Sequence, residues 1–328
     1  MKIALTIPSA GAGKWCWTGW ANAFIELGHE IVNFGQIVNA NRSYPYNEID
    51  LLICSTSCPN QDFIDFKPKK VALNVLAWTD ENLPCINNPG VQASPGNVEY
   101  AKTLKPDVVF AQYSKPWNKL LLKNWIKEGF KDSSMMMAAD SVAYISYLVQ
   151  QGKLVSGSML IPQDQRRIFY TGGYWPYKAQ NINKYLLPIF RKYAKETTVI
   201  GKGWPFLTQN IDNEGTISKY FNAADVCPNI HEPHSTEGGY DIVERCFKVP
   251  YCGGLLVSDY VQEMADIGFK NGINCFLCKT PKEYAEIIDE IIKNPEKYDH
   301  VRKAGQEFVA SSHTYIHRAK ALLADLGL

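Results

Sequence analysis

The 328-residue chain contains no run of about 18 or more apolar residues, so no segment is expected to cross a bilayer as a helix. Its opening, MKIALTIPSAGAGKW, has too short an apolar part for a signal peptide and reads as a first β-strand. A cytoplasmic location is the expectation. Charge of one sign is also missing. Thirty-four basic residues stand against 33 acidic ones, a formal net charge of +1, which gives no global support for nucleic-acid binding but leaves room for a local basic groove. Nine cysteines are present without the second ligand pair that a zinc site wants. Cys275 and Cys278 form a lone CxxC, Cys54 and Cys58 are spaced more widely, and Cys85, Cys227, Cys246 and Cys252 are scattered. These thiols read as apolar fillers in a reducing compartment, and no metal is expected. GxSxG, HExxH, an EF-hand loop, internal repeats and low-complexity tracts are absent as well.

What is there is a strand–helix rhythm in a chain that is 46% hydrophobic, enough for substantial cores. Lys2 to Ile7 reads as a strand, Pro8 to Gly13 as a small-residue loop, Thr18 to Leu27 as a helix, and His29 to Phe34 as the next strand. The loop lacks the spacing and the Ser/Thr of a phosphate-binding Walker motif, yet Gly13 is a place where a ligand can approach the backbone. Asp50 to Cys54, Lys70 to Leu76 and Val108 to Ala111 are further strands. Asp80 follows the second of them, at the end where open sheets bind ligands, and a turn cap is its alternative reading. The segment WNKLLLKNWIKEGF reads as a helix with Lys123, Lys127 and Lys131 on its polar face, either a solvated face or one that touches an anionic acceptor or a membrane surface. Asp140 to Gln150 reads as a helix with Tyr144 and Tyr147 on one side. PQDQRR, between two apolar strands, is the best domain boundary. The second half repeats the rhythm around Gly172-Gly173, the GKGWP turn, and the stretch from His234 to Asp259: a polar glycine-rich loop, a mixed helix, Cys252-Gly253-Gly254 and a strand. Helix N-termini in such repeats suit phosphate. Two α/β halves of similar length without a hydrolytic triad signature leave mainly nucleotide-dependent transfer or ligand binding as the broad classes.

From Arg167 to Arg318 the chain resembles glycosyltransferases of the two-Rossmann-domain class (GT-B, group 1), in particular the CgeB-like branch related to spore maturation proteins. FYTGGYWPYK, VIGKGWP, KYFNAADVCPN, CFKVPYCGGLLVSDY, GFKNGINCFLCKTPKEYAEIIDEIIKNPEKY and KAGQEFVASSHTYIHR carry the resemblance in order and spacing. It implies an α/β chain of two Rossmann-like domains facing a cleft: an acceptor-side domain over 1–164, a donor domain over 165–312, and a helix over 313–328 that crosses back to the first domain. The implied ligand is a nucleotide-sugar donor, a substrate rather than a cofactor. The acceptor hydroxyl belongs to a glycan, a lipid-linked sugar, a protein or a modified nucleic acid, and peripheral membrane contact stays open.

The resemblance also assigns roles. Lys178 corresponds to a basic side chain that meets the donor diphosphate, where a cation steadies the leaving group; a solvated cap is its plainer reading. Lys202 in the GKGWP turn does similar work or merely flanks a tight turn, and Gly203 and Gly173 are expected to line the same ligand. Glu237 stands where an acidic residue meets the donor sugar, with Gly238 and Gly239 offering backbone N–H groups. Lys248 departs from the pattern, standing where many members have a ribose-binding glutamate; Glu244, one helical turn earlier, is the substitute, and Arg245 reaches a phosphate or pairs with a carboxylate. Asp80, Lys178 and Glu237 are the catalytic candidates. His231 and His234, with Glu232 between them, lack a further ligand at close spacing for a metal, and Trp15, Trp17 and Trp20 stack on sugars or pack in the core. An inactive nucleotide- or sugar-binding module and a nucleotide-sugar epimerase of the same fold are the alternatives.

Overall fold

The computed structural model describes residues 1–7, 11–33, 48–66, 68–83, 92–144, 167–206, 208 and 213–328. The expected boundary at PQDQRR, the loop residues 8–10, Cys85 and Tyr147 lie outside them, as does the Asp140 to Gln150 helix beyond Tyr144. By contacts the chain forms two compact units, Met1–Val142 with Tyr315–Leu328, and Ala143–Thr314.

The first unit is an α/β layer structure. Its strands are β1 (Lys2–Leu5), β2 (Glu30–Asn33), β3 (Leu51–Ser55), β4 (Lys70–Asn74), β5 (Val108–Ala111) and β6 (Asp132–Ser134). Every pairing is parallel, in the order β2-β1-β3-β4-β5-β6. Strands covered on both faces read as continuous apolar runs, and β5, VVFA, is buried throughout. The helices are α1 (Gly11–Glu26), α2 (Asp62–Phe66), α3 (Pro95–Leu104), α4 (Lys115–Leu121) and α5 (Lys123–Lys127). Ser94 and Asn97 close a capping box on α3, with Pro95 at its first position. The chain's last helix, Tyr315–Leu326, belongs to this unit, where Tyr315, Leu322 and Leu326 join the core of Trp17, Trp20 and Phe24. Gly19 of α1 makes room for it: a Cβ there would lie 2.4 Å from the Tyr315 ring.

Two expectations are corrected here. The first helix begins at Gly11, not Thr18, so Gly13 lies in its first turn rather than in a loop. Apolar and aromatic side chains continue the helical face upstream, and Trp17 and Trp20 are buried in the core while Trp15 is 38% exposed. The basic segment is two short helices, α4 and α5, and its lysines are engaged. Lys123 pairs with Glu81 at 2.6 Å, Lys127 with Asp80 at 3.2 Å, and Lys131 donates to the Asp325 carbonyl.

The second unit holds β7 (Ile168–Thr171), α6 (Pro176–Asn181), a π turn (Ile182–Leu186), α7 (Leu187–Lys192), β8 (Thr197–Ile200), α8 (Glu214–Ala223), β9 (Cys227–Asn229), α9 (Pro233–Gly238), α10 (Arg245–Tyr251), β10 (Leu256–Asp259), α11 (Gln262–Asp266), β11 (Phe276–Cys278), α12 (Pro281–Lys293) and α13 (Asp299–Ser312); the Tyr315–Leu326 helix is α14. Parallel pairing gives β11-β10-β9 and β7-β8. Backbone bonds from Val226 to Arg167 and from Phe169 to Val226 join the two pieces, so the strands run β11-β10-β9-β7-β8. α12 begins as its sequence dictates, with Thr280 and Glu283 in a capping box around Pro281. Arg302 of α13, buried, donates to the Ala224, Asp225 and Gly253 carbonyls. The glycine turn packs equally tightly: a Cβ on Gly254 would lie 3.0 Å from the Phe221 and Val249 carbonyl oxygens.

Candidate functional site

In the order β8-β7-β9-β10-β11 the chain reverses direction of winding between β7 and β9, and open α/β sheets bind ligands beyond the carboxyl ends of strands at such a point. Loops after β7 and β8 meet there backbone to backbone. Gly172 and Gly201 sit at φ +149 and +148, and a Cβ on Gly201 would lie 2.1 Å from the Gly172 carbonyl oxygen. One on Gly203, at φ +82, would lie 2.2 Å from that of Tyr174. The Gly172 N–H donates to Ile200 at 2.8 Å and the Tyr174 N–H to Lys202 at 2.8 Å. Loop-on-loop packing therefore accounts for these glycines, and for Gly173, without a ligand. Lys202 itself is exposed.

Beneath these loops charge is buried. Arg245 of α10 reaches the end of β7, donating from Nη1 to the Thr171 carbonyl at 2.7 Å, and it reaches the end of β9 through Asn229 Oδ1 at 2.9 Å and the Ile230 carbonyl at 3.2 Å. Its guanidinium lies 4.8 Å from the Tyr170 ring centre. Arg245 is thus a clamp on strand ends, not a free phosphate ligand. Lys178, on α6, is 2% exposed. Among the described residues no hydrogen bond or ion pair reaches its ammonium, and the Trp175 ring, 4.8 Å away, is its close partner. Burial, then the neighbouring Arg245 charge, push its pKa down to about 7, against the pull of Glu232 and Asp259.

Two histidines complete the floor. His231 is fully buried, with Nδ1 2.6 Å from Asp259 Oδ1; its backbone N–H also donates to that carboxylate, 2.9 Å from Oδ2. Ser258 adds a third donor at 3.2 Å. The Cys246 sulfur lies 3.4 Å from His231 Nε2, and burial pushes its thiol well above the usual range, which makes it an inert part of the core. His234 lies between Asp241, 2.8 Å from Nε2, and the Tyr177 hydroxyl, 3.2 Å from Nδ1. Neither Asp241, Asp259 nor Tyr177 was among the residues expected from the sequence. Asp259 closes a buried strand 28 residues from His231, and no local spacing announces such a pair.

The remaining expected residues are placed as follows. Glu237 is exposed in the last turn of α9, a helix that starts at Pro233 where a polar loop was expected. Gly238 is helical. Gly239 is the left-handed cap of α9 at φ +80, and its N–H is taken by the Ser235 carbonyl at 2.9 Å, so it is not offered to a ligand. α6 and α9 are six residues each and begin with proline, which leaves them little of the N-terminal dipole expected to attract phosphate. Glu244 precedes α10 and lies 3.7 Å from the Lys248 ammonium, which also donates to the Tyr144 hydroxyl at 3.4 Å. The departure at position 248 thus brings its own counter-charge. Asp80 belongs to the first unit, 69% exposed, where hydrogen bonds from Asn124 and Lys127 hold its carboxyl below the usual range. A carboxylate lowered in this way is a weak base. A hollow of about 610 Å³ at the opposite ends of β1 and β2 is lined by Lys2, Glu30, Glu48, Asp50 and Lys69, of which Lys2–Glu48 and Lys69–Asp50 neutralise each other. Among the described residues no cluster of His, Cys, Asp and Glu has the arrangement of a metal site, and no helix is long and apolar enough to cross a membrane.

A family model described as "Glycosyl transferase-like" matches residues 183–324. No curated protein matches the chain. Among solved structures, Anabaena HepE in complex with UDP and glucose is 14% identical over 100% of this chain and 99% of its own, with a TM-score of 0.54. Sucrose-phosphate synthase from Thermosynechococcus elongatus is 12% identical over 98% and 96%, at 0.59. An α-glucosyltransferase in complex with UDP and a 13-mer DNA is 12% identical over 100% and 98%, at 0.61. At this identity the likeness speaks for the fold: the chain has the GT-B fold, two Rossmann-like α/β units with its C-terminal helix in the first.

Proposed function

We propose that the strand ends of the Ala143–Thr314 unit bind a nucleotide-sugar donor and that the protein, acting in the cytoplasm, transfers the sugar to an acceptor hydroxyl. We assign it to the CgeB-like branch, a reading supported by the six motifs from Arg167 to Arg318. The observation that carries the proposal is Lys178. A buried cation without an anionic partner costs stability unless something repays it. A diphosphate is such a partner. As the bond from the anomeric carbon to the diphosphate breaks, its electron pair stays on the diphosphate oxygen, and Lys178 neutralises the charge that develops there. Arg245 keeps the site electropositive from behind while its own hydrogen bonds stay within the protein. Glu237, exposed at the end of α9, is our candidate for a sugar hydroxyl contact. The matched glycosyl transferase-like span and neighbours whose structures hold UDP make uridine diphosphate sugars the donors to test first.

Calorimetric titration of UDP and UDP-glucose into the protein and into Lys178→Ala tests this. The substitution is expected to weaken binding about tenfold or more, the worth of a charge-assisted hydrogen bond. Equal affinity in both proteins would remove Lys178 from the site.

A further inference from the structure

α6 and α9 bring together a chain of side chains that the proposed function leaves unused. Tyr177 stands one residue before Lys178 on α6, 36% exposed. Its hydroxyl is 3.2 Å from His234 Nδ1, and the two rings lie within 11° of parallel. The His234 side chain is only 11% exposed, and its Nε2 is 2.8 Å from Asp241 Oδ2. Asp241 occupies the left-handed region at φ +72, which is strained for any residue with a Cβ. It is held there from the interior: its N–H donates to Glu263 Oε2 at 2.9 Å, and Glu263 is fully buried with its own N–H on the Gly239 carbonyl at 2.8 Å. A strained backbone and a buried carboxylate thus aim one carboxylate at one imidazole.

This arrangement decides the tautomer. An ionised carboxylate only accepts, so the neutral His234 carries its proton on Nε2, toward Asp241. Nδ1 is left with its lone pair toward Tyr177, whose hydroxyl donates. Acid, imidazole and exposed hydroxyl in line are the parts by which a weak nucleophile or base is activated elsewhere, recognised by geometry and roles rather than by sequence order.

We infer that Tyr177, backed by His234 and Asp241, is the acid–base group of this site, taking the proton of the attacking acceptor hydroxyl. This rests on the function proposed above. In the step, the acceptor O–H bond breaks as its oxygen bonds to the anomeric carbon. That proton passes to the Tyr177 oxygen, and the Tyr177 proton passes to His234 Nδ1. The imidazolium formed is held by Asp241, and the diphosphate leaves with the electron pair toward Lys178. Tyr177 is the catalytic residue; His234 and Asp241 are positioning residues.

The groups facing His234 are Tyr177 from α6, Glu232 before α9 with Oε2 3.8 Å from Nδ1, Glu237 on α9, Asp241, and the Tyr240 ring. Burial lowers the His234 pKa; the Asp241 hydrogen bond and the charges of Asp241, Glu232 and Glu237 outweigh it and raise it above the ordinary value. Only the neutral imidazole accepts the proton, so activity falls as pH drops through that raised pKa.

The test is UDP release from UDP-glucose, UDP-galactose and UDP-N-acetylglucosamine, with water or added sugars as acceptor, over roughly pH 5 to 9. Tyr177→Phe keeps the ring stack and is expected to lower kcat about 100-fold while leaving the donor KM within about twofold, the usual scale of general acid–base catalysis. Asp241→Asn is expected to move the acid limb to lower pH, because it removes the chief interaction that raises the histidine pKa. Unchanged kcat in Tyr177→Phe overturns the inference. So does a fall in both variants with the acid limb unmoved, which marks a packing role. Calorimetry separates the two readings: UDP binding that depends on Lys178, with no effect of Tyr177→Phe on turnover, sinks this inference alone. No UDP binding and no UDP release by the unaltered protein sinks the proposed function and this inference with it.

Discussion

The two units share one strand order and differ in what stands at the strand ends. β2-β1-β3-β4-β5 in the first unit repeats as β8-β7-β9-β10-β11 in the second, each parallel and each with its reversal beside the first strand. In the first unit, β2, β3, β4, β5 and β6 end at Asn33, Ser55, Asn74, Ala111 and Ser134, all neutral. These make local bonds: Ser55 Oγ to Asn74 Oδ1 at 3.3 Å, and Asn97 Nδ2 to the Thr56 carbonyl at 2.9 Å. In the second unit β10 ends at Asp259, and Lys178, Arg245 and His231 are buried around it. The same scaffold thus ends its strands in neutral residues in one copy and carries buried ionisable side chains in the other. Burying charge disfavours the folded state unless it is bonded, and this concentration at one switch point is what the proposed donor site would explain.

The largest expected effect falls on the ionic copy. Arg245→Met would leave the Thr171 and Ile230 carbonyls and Asn229 Oδ1 without their donor, so the protein is expected to lose about 3 kcal/mol or more, read from the urea midpoint. A loss near zero would mean that the clamp is dispensable and the contrast between the units a matter of surface charge. Gly19→Val tests the neutral copy, where apolar fit carries the stability. A side chain at position 19 meets the Tyr315 ring, and overpacking of about 1 to 3 kcal/mol is expected, with donor affinity unchanged. An unchanged urea midpoint would mean that the Tyr315 ring has room to move aside.

The smallest effect is also the most specific. Lys178 has a folded pKa lowered to about 7 from 10.5, so between these values the unfolded chain holds more protons than the folded one. Its contribution to stability is therefore full above about pH 10.5 and is lost as pH falls toward 7. Diphosphate binding works in the opposite sense, because the anion favours the protonated amine. UDP affinity is expected to weaken as pH rises past about 7, and titration in buffers of different ionisation enthalpy should show up to one proton taken up per UDP. In Lys178→Arg, where the guanidinium stays protonated, that uptake should vanish. Binding without proton uptake in the unaltered protein would mean that Lys178 is already charged, and that the ionic copy is less desolvated than its burial indicates.

Much of the fold was legible because strands buried on both faces must be apolar runs. Val108–Ala111 stands where its residues predict, and the strands Leu51–Ser55 and Lys70–Asn74 fall on the runs expected from Asp50 to Cys54 and from Lys70 to Leu76. The extent of α1 was not, since small residues at Gly11 to Gly13 look like a loop until Trp17, Trp20 and Phe24 are seen packing along one continuous helix. Of the expected site residues, Lys178 is buried beside the Trp175 ring. Arg245, Gly173, Gly203 and Gly239 turn out to have bonds or close contacts within the protein that explain them.

The stretch from His234 to Asp259 shows the division most clearly. By itself the sequence determined that this stretch supplies a helix, a glycine turn and a buried strand, because periodicity and glycine placement are local properties; its polar start, expected as a loop, is the helix α9. Only the tertiary structure decided that Asp259 holds His231, that Asp241 aims His234 at Tyr177, and that Glu244 answers Lys248. Which charge is balanced depends on side chains brought together across elements, and burial sets the strength of each pairing. Neither is written in residue spacing.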